Sequence, residues 1–453
     1  MCQMKWVTKD RSFYKTILSL ALPISLQNLV TFLVTFADNV MVGTLGDNAV
    51  SGIYLGGQIQ FLLQQLVTGM GSALLILTAQ YWGKKEPAAI RRLVGLAVRL
   101  GGSAALFLSL FSGLFPRQLL RLFTNEEGAL SEGTAYLRIL CISFLFFTVS
   151  QILVYAMRSV EAARIGAYVS GVTLILNVSL NWVLIFGKCG IPALGVRGAA
   201  LATLIARMVE CMIMLFYVFK KDRRLNMRLR ELFAPAQGML RHYLRYGLPV
   251  IAGDLVWAVN ILCQGAILGH YTADVIAAAS ITNTLNNLIY VWLNGLWGGV
   301  SIVVGKTIGA GRLETVKEYA RTCQLLFLGV GLLSGGLIFG FKGLFLSLYQ
   351  GVSPGARAVA KQLMSVLSVT IIGTCYEACC LGALVKAGGD TAFVFKNDSL
   401  FVFLVVLPSA VIASRFGCPV WFVFLCLKSD QLLKCMVAAV KVNRFGWIRQ
   451  LTQ

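Results

Sequence analysis

Runs of about 20 apolar residues recur along the whole chain without the alternation of a half-buried strand, and nothing else in the sequence limits the fold so tightly. In a bilayer core each unpaired backbone amide costs several kcal/mol, so segments of this kind must be helices that satisfy their own hydrogen bonds. Of the 453 residues 57% are hydrophobic and only 13% charged, too little charge for a soluble protein of this length. The expectation is an all-α integral membrane protein.

The formal net charge of +21 raises the question of nucleic acid, and the placement of the basic residues answers it. With the amino terminus taken as inside, inner segments hold 28 of the 40 Lys and Arg. Four precede the first span (Lys5, Lys9, Arg11, Lys15), and eight lie between Lys220 and Arg245. This bias predicts an even number of spans with both termini in the cytoplasm of a cell whose inner membrane holds the protein. The charge is topological, and no nucleic-acid partner is expected.

Twelve spans are predicted, in two sets of six. The first set lies near residues 16–43, 50–80, 93–115, 134–157, 167–187 and 197–219. The second lies near 247–269, 275–305, 321–341, 361–386, 394–414 and 418–440. The sets repeat at an offset of 226 residues: Pro23 falls on Pro249, Gly43 on Gly269, Gly69 on Gly295 and Gly83 on Gly309. The expected organisation is therefore an amino-terminal lobe (1–225), a basic cytoplasmic linker (226–246) and a carboxy-terminal lobe (247–453), with the substrate path between two repeats of like orientation. Pro23 and Pro249 each remove a backbone hydrogen bond near the start of a lobe, and both are expected as hinges.

An ionisable group inside a span is a functional candidate by default. Asp38 has no basic residue within one helical turn and is the first choice for an ion site; the alternative is that it caps a helix or bonds a backbone amide. Asn177 and Asn181 share one helix face, and Thr203 on the next span adds a hydroxyl. Carboxylate and amide oxygens suit a hard cation such as sodium, held by Asp38, Asn177 and Asn181, whereas a lone buried carboxylate suits a proton. For the two asparagines, hydrogen-bond glue between helices is an equal reading. Asp254 and Glu377 are candidates of the second lobe. Gln58, Asn283 and Asn287 are cavity candidates or interhelical glue. Arg207 with Glu210, and Asp430 with Lys434, read as structural ion pairs.

The 12 Cys lack paired ligand spacing, and only two His occur. No nucleophile elbow and no phosphate-cradling loop is present, so neither enzymatic chemistry nor ATP-driven transport is expected, and no cofactor beyond a proton or sodium gradient.

The sequence resembles the multidrug and toxic compound extrusion (MATE) family, bacterial type, over nearly its whole length. The carriers are Leu22-Pro23, Asp38, Met41-Val42-Gly43, Tyr81-Trp82-Gly83, Arg158-Ser159, Asn177 to Gly187 and Gly195 to Thr203. In the second half they are Leu248-Pro249, Gly305 to Gly311 and Ala387 to Thr391. The resemblance implies a V-shaped exporter of organic, cationic amphiphilic compounds, running as an antiporter on a sodium or proton gradient. It assigns Asp38 as the coupling carboxylate, with Asn177 and Thr203 beside it. Many members carry an acid where this chain has Asn181, which leaves one charge fewer to hold sodium. The small-molecule substrate and membrane lipids are the expected partners of a monomer. A flippase for lipid-linked saccharides, the nearest alternative, calls for a strongly basic cavity, and Arg99 and Arg207 are the chief basic residues near mid-span.

Overall fold

The computed structural model describes residues 7–236, 238–349 and 351–452, so Lys5 lies outside the described residues. Among these residues the structure is helical throughout, with no strand. Ten helices are long and apolar enough to cross a membrane, and a bent pair makes an eleventh span. They are α1 (Arg11–Gly43), α2 (Asp47–Gly83) and α3 (Pro87–Leu114), then the pair α4 (Glu127–Leu140) and α5 (Ser143–Ser159), bent by 52°. Next come α6 (Arg164–Phe186), α7 (Gly195–Lys221), α8 (Met239–Gly269), α9 (Ala273–Gly309), α10 (Leu313–Ser347), α11 (Pro354–Val385) and α12 (Thr391–Arg415). The segment expected as the twelfth span is divided into α13 (Val420–Leu427) and α14 (Ser429–Asn443), with Lys428 at the break. Lys428 is buried and its ammonium bonds Gln264 Oε1 at 3.2 Å.

Three helices loosen into π-helical turns: Tyr217–Lys221 at the end of α7, Ala378–Val385 in α11 and Val402–Val406 in α12. Such wide turns recur at functional sites, because an extra residue in the turn shifts the side chains that follow.

The packing sorts the chain into two compact units. Unit 1 comprises residues 1–25 and 252–453, and unit 2 comprises residues 26–251. Each boundary lies two residues beyond a proline inside a continuous helix, Pro23 in α1 and Pro249 in α8. At the 226-residue offset Ser25 falls on Ile251, so packing changes hands at equivalent places in the two repeats. The basic stretch expected as a linker is helical from Met239 onward, and the change of unit comes later, at Ile251.

Unit 2 is centred on a cluster that includes Leu63, Leu120, Tyr136, Leu137, Phe144 and Ile185. In unit 1 the last residues fold back: Trp447 is fully buried with its indole N–H on Val442 O at 2.9 Å, and Arg449 N–H donates to Gly388 O at 3.0 Å. Asp390, in the turn before α12, pairs with Lys441 at 2.7 Å and Arg449 at 3.1 Å.

Candidate functional site

In unit 2 the structure brings together three of the four residues singled out for an ion site. Asn181 Nδ2 donates to Asp38 Oδ1 at 2.5 Å and to Asn177 Oδ1 at 3.2 Å. The four-residue spacing stacks the two asparagines on one face of α6, as the helical period requires, and both are almost fully buried. Asp38 lies within α1, five residues before its end, and bonds a side-chain amide of another helix, so it is not a helix cap. Thr203, half-buried on α7, makes no hydrogen bond to this group among the described residues.

Two glycines fix the frame that carries the asparagines. Gly187 ends α6 in the left-handed conformation at φ +69°, which a residue with a Cβ adopts only at a cost. Gly198 on α7 lies so near α6 that an added Cβ would stand 2.5 Å from Leu184 O. Small residues at such points let membrane helices approach closely.

Charge around Asp38 is unbalanced. The basic group that acts on it electrostatically is Arg207, and Arg207 is committed to Glu210 at 2.6 Å. Glu210 also accepts from Gln151 at 2.9 Å and Ser150 at 3.2 Å, and the guanidinium rests on the Phe147 ring at 4.8 Å. The expected Arg207–Glu210 pair is thus present, and Asp38 has no ion pair among the described residues. Asn181 Oδ1, buried beside Asp38, has no hydrogen-bond partner among the described residues. An orphaned acceptor of this kind suits either a cation or a proton delivered to its neighbour.

The second-lobe candidates have a different setting in unit 1. Asp254 pairs with Lys386 at 3.5 Å, and Glu377 pairs with Lys434 at 3.4 Å. Lys434 also pairs with Asp430 at 3.2 Å, as its spacing led us to expect, and with Asp398 at 3.0 Å. Asp398 escaped the sequence reading, although it is the one carboxylate within α12 after its first residue and that alone marked it. Lys386 escaped as a partner because it lies 132 residues from Asp254, beyond any helical spacing rule. Gln58 is half-buried, whereas Asn283 and Asn287 are exposed. Among the described residues no group of three or more His, Cys, Asp or Glu is arranged to hold a metal ion.

Ten or eleven long apolar helices among the described residues mark a multi-pass membrane protein. The MatE family model matches residues 23–183 and 250–412, once in each repeat, and the chain belongs to this family of MATE transporters. It is 26% identical over 411 residues to the probable multidrug resistance protein NorM of Thermotoga maritima, covering 89% of this chain and 86% of that one. To the probable multidrug resistance protein YoeA of Bacillus subtilis it is 24% identical, covering 89% and 88%. In three dimensions it is similar to a MOP superfamily transporter from Pyrococcus furiosus, with TM-score 0.87, 17% identity and coverage of 98% and 99%. It is equally similar to a mutant of the Vibrio cholerae MATE transporter VcmN, with TM-score 0.87, 17% identity and coverage of 96% and 97%. Multi-pass membrane placement follows from the family and the apolar helices together.

Proposed function

We propose that the protein is a proton-coupled antiporter that expels organic, cationic amphiphilic molecules, with Asp38 as the residue that takes the proton. The carrying observation is that Asp38 has no ion pair among the described residues and accepts from an amide able to serve both of its charge states. Ionised, Asp38 accepts the Asn181 N–H. Protonated, it becomes a donor, and the amide of Asn181 turned over offers it Oδ1, the acceptor now without a partner. One side chain thereby satisfies the carboxylate before and after proton uptake.

A single carboxylate among neutral amides supplies one negative charge, which a proton cancels fully. Sodium would ask for more oxygen ligands, drawn from Asp38, Asn177, Asn181 and Thr203. Binding of substrate and of proton oppose each other by reciprocal linkage, so proton entry on one side promotes release of the compound there. Pro23 and Pro249, each two residues from a change of packing unit, are the places where α1 and α8 would bend during alternating access. The names of the relatives support multidrug export. In this reading the monomer sits in the inner membrane with both termini cytoplasmic, among lipids and without nucleic acid.

The test is efflux of a fluorescent organic cation from proteoliposomes under an imposed proton gradient or an imposed sodium gradient, for wild type and Asp38→Asn. Transport driven by protons and abolished in Asp38→Asn is the expected result. Transport driven only by sodium replaces the proton with sodium at the same carboxylate. Full activity of Asp38→Asn at wild-type protein levels overturns the assignment, and no transport under either gradient moves weight to a lipid-linked saccharide flippase.

A further inference from the structure

Unit 1 contains a second charged assembly that the proposed antiport does not use. Lys434 on α14 has a side chain only 5% exposed. Its ammonium lies 3.0 Å from Asp398 Oδ1, 3.2 Å from Asp430 Oδ2 and 3.4 Å from Glu377 Oε1, so carboxylates from α12, α14 and α11 surround it. An ammonium carries N–H donors and no acceptor; it donates a hydrogen bond to Asp398 Oδ1, and Asp430 and Glu377 stand at ion-pair distance. The Phe401 ring stands 5.9 Å away on a further side.

Two of the three carboxylates are delivered next to irregular backbone. Glu377 immediately precedes the π-helical turn Ala378–Val385, and Asp398 lies four residues before the turn Val402–Val406. A wide turn departs from the ordinary i to i−4 pattern at a local expense, and here two helices do so at one buried cation. Close by, Asp254 is matched by Lys386.

We infer that Lys434 is a tethered cation: its ammonium permanently fills a carboxylate cage that would otherwise take a small monovalent cation from solution. Unit 1 then needs no soluble ion at these carboxylates, and removing the ammonium opens a latent site for one. The inference is independent of the role proposed for Asp38, and testing it in an Asp38→Asn background keeps the two apart.

The experiment measures the melting temperature of the purified full-length Asp38→Asn protein in methylammonium chloride or sodium chloride, against N-methylglucamine chloride at equal ionic strength. With Lys434 present the small cations are expected to make no difference. In Lys434→Met they are expected to raise the melting temperature saturably by about 2 °C or more, as ligand linkage predicts. Adding Asp398→Asn to Lys434→Met should weaken that response. A folded Lys434→Met protein indifferent to both cations overturns the inference, as does a saturable response with Lys434 intact that Asp398→Asn removes.

If Lys434→Met cannot be recovered folded in any salt, the neutralised cage Lys434→Met/Glu377→Gln/Asp398→Asn decides. Its recovery supports the ammonium as the cation these carboxylates require. Its failure as well shows Lys434 to be a packing residue and overturns the inference.

Discussion

The two units treat buried charge in opposite ways. In unit 2, Glu210 is balanced by Arg207 while Asp38 is left with amides alone. In unit 1, Asp254, Glu377, Asp398 and Asp430 each have a lysine within 3.5 Å. A paired carboxylate in a low-dielectric interior has its charge offset by its partner, and taking that partner away leaves the charge uncompensated. Two repeats that share glycines and prolines at a fixed offset thus differ in how their carboxylates are paired.

Substitutions can break or sharpen this contrast. The largest effect on transport is expected at Asp38→Asn, which should abolish proton-driven efflux yet change stability by no more than about 1 kcal/mol, as read by proteoliposome flux and thermal melting. The largest effect on stability is expected at Lys434→Met. Stripping the buried cation from three partly exposed carboxylates should cost about 3–5 kcal/mol, measured by melting in N-methylglucamine chloride. If Asp38→Asn destabilises more than Lys434→Met, the contrast between unpaired and paired carboxylates fails.

Gly198→Ala tests the frame rather than the charges. Its new methyl group would press on Leu184 O, and a loss of about 1–3 kcal/mol with a proportional fall in efflux is expected. Asn181→Asp sharpens the comparison from the other side. A second carboxylate beside Asp38 should make melting sodium-dependent in unit 2, a smaller shift visible on exchanging sodium for N-methylglucamine.

The smallest expected effect lies outside the membrane. Hydrogen bonds from Ser12 and from the Tyr319 hydroxyl, the latter at 2.9 Å, hold the Asp10 carboxyl below its ordinary value of 3.8. A depressed value means that the contribution is present above the unfolded-state value and is lost as pH falls through the folded one. Tyr319→Phe should therefore reduce stability slightly at neutral pH and by progressively less below about pH 4, followed by melting across that range.

Much of this architecture was legible because it follows from one-dimensional rules. Apolar run length gave the helices, and the i, i+4 period gave the Asn177–Asn181 face and the Asp430–Lys434 pair. The i, i+3 spacing gave the Arg207–Glu210 pair. Asp38 stood out because a carboxylate without a nearby base is rare in an apolar run. What escaped depends on contacts remote in sequence. The convergence of Glu377, Asp398 and Asp430 on one ammonium requires α11, α12 and α14 to meet, and no local period encodes that. The 52° bend between α4 and α5 at Cys141–Ile142 and the break at Lys428 have no proline to announce them. The π-helical turns are equally silent in composition.

The places where packing changes hands also set an order of assembly. Unit 2 is one uninterrupted stretch, complete once Ile251 has been made, and can settle while synthesis continues. Unit 1 is discontinuous: its first 25 residues emerge first and must wait for partners that begin at Ala252. At about 5–20 residues per second, the ribosome needs about 10–45 s to make the stretch 26–251 that comes between. For that interval the leading half of α1 is a helix without its neighbours, and the two halves of the protein are born in sequence although their repeats are alike.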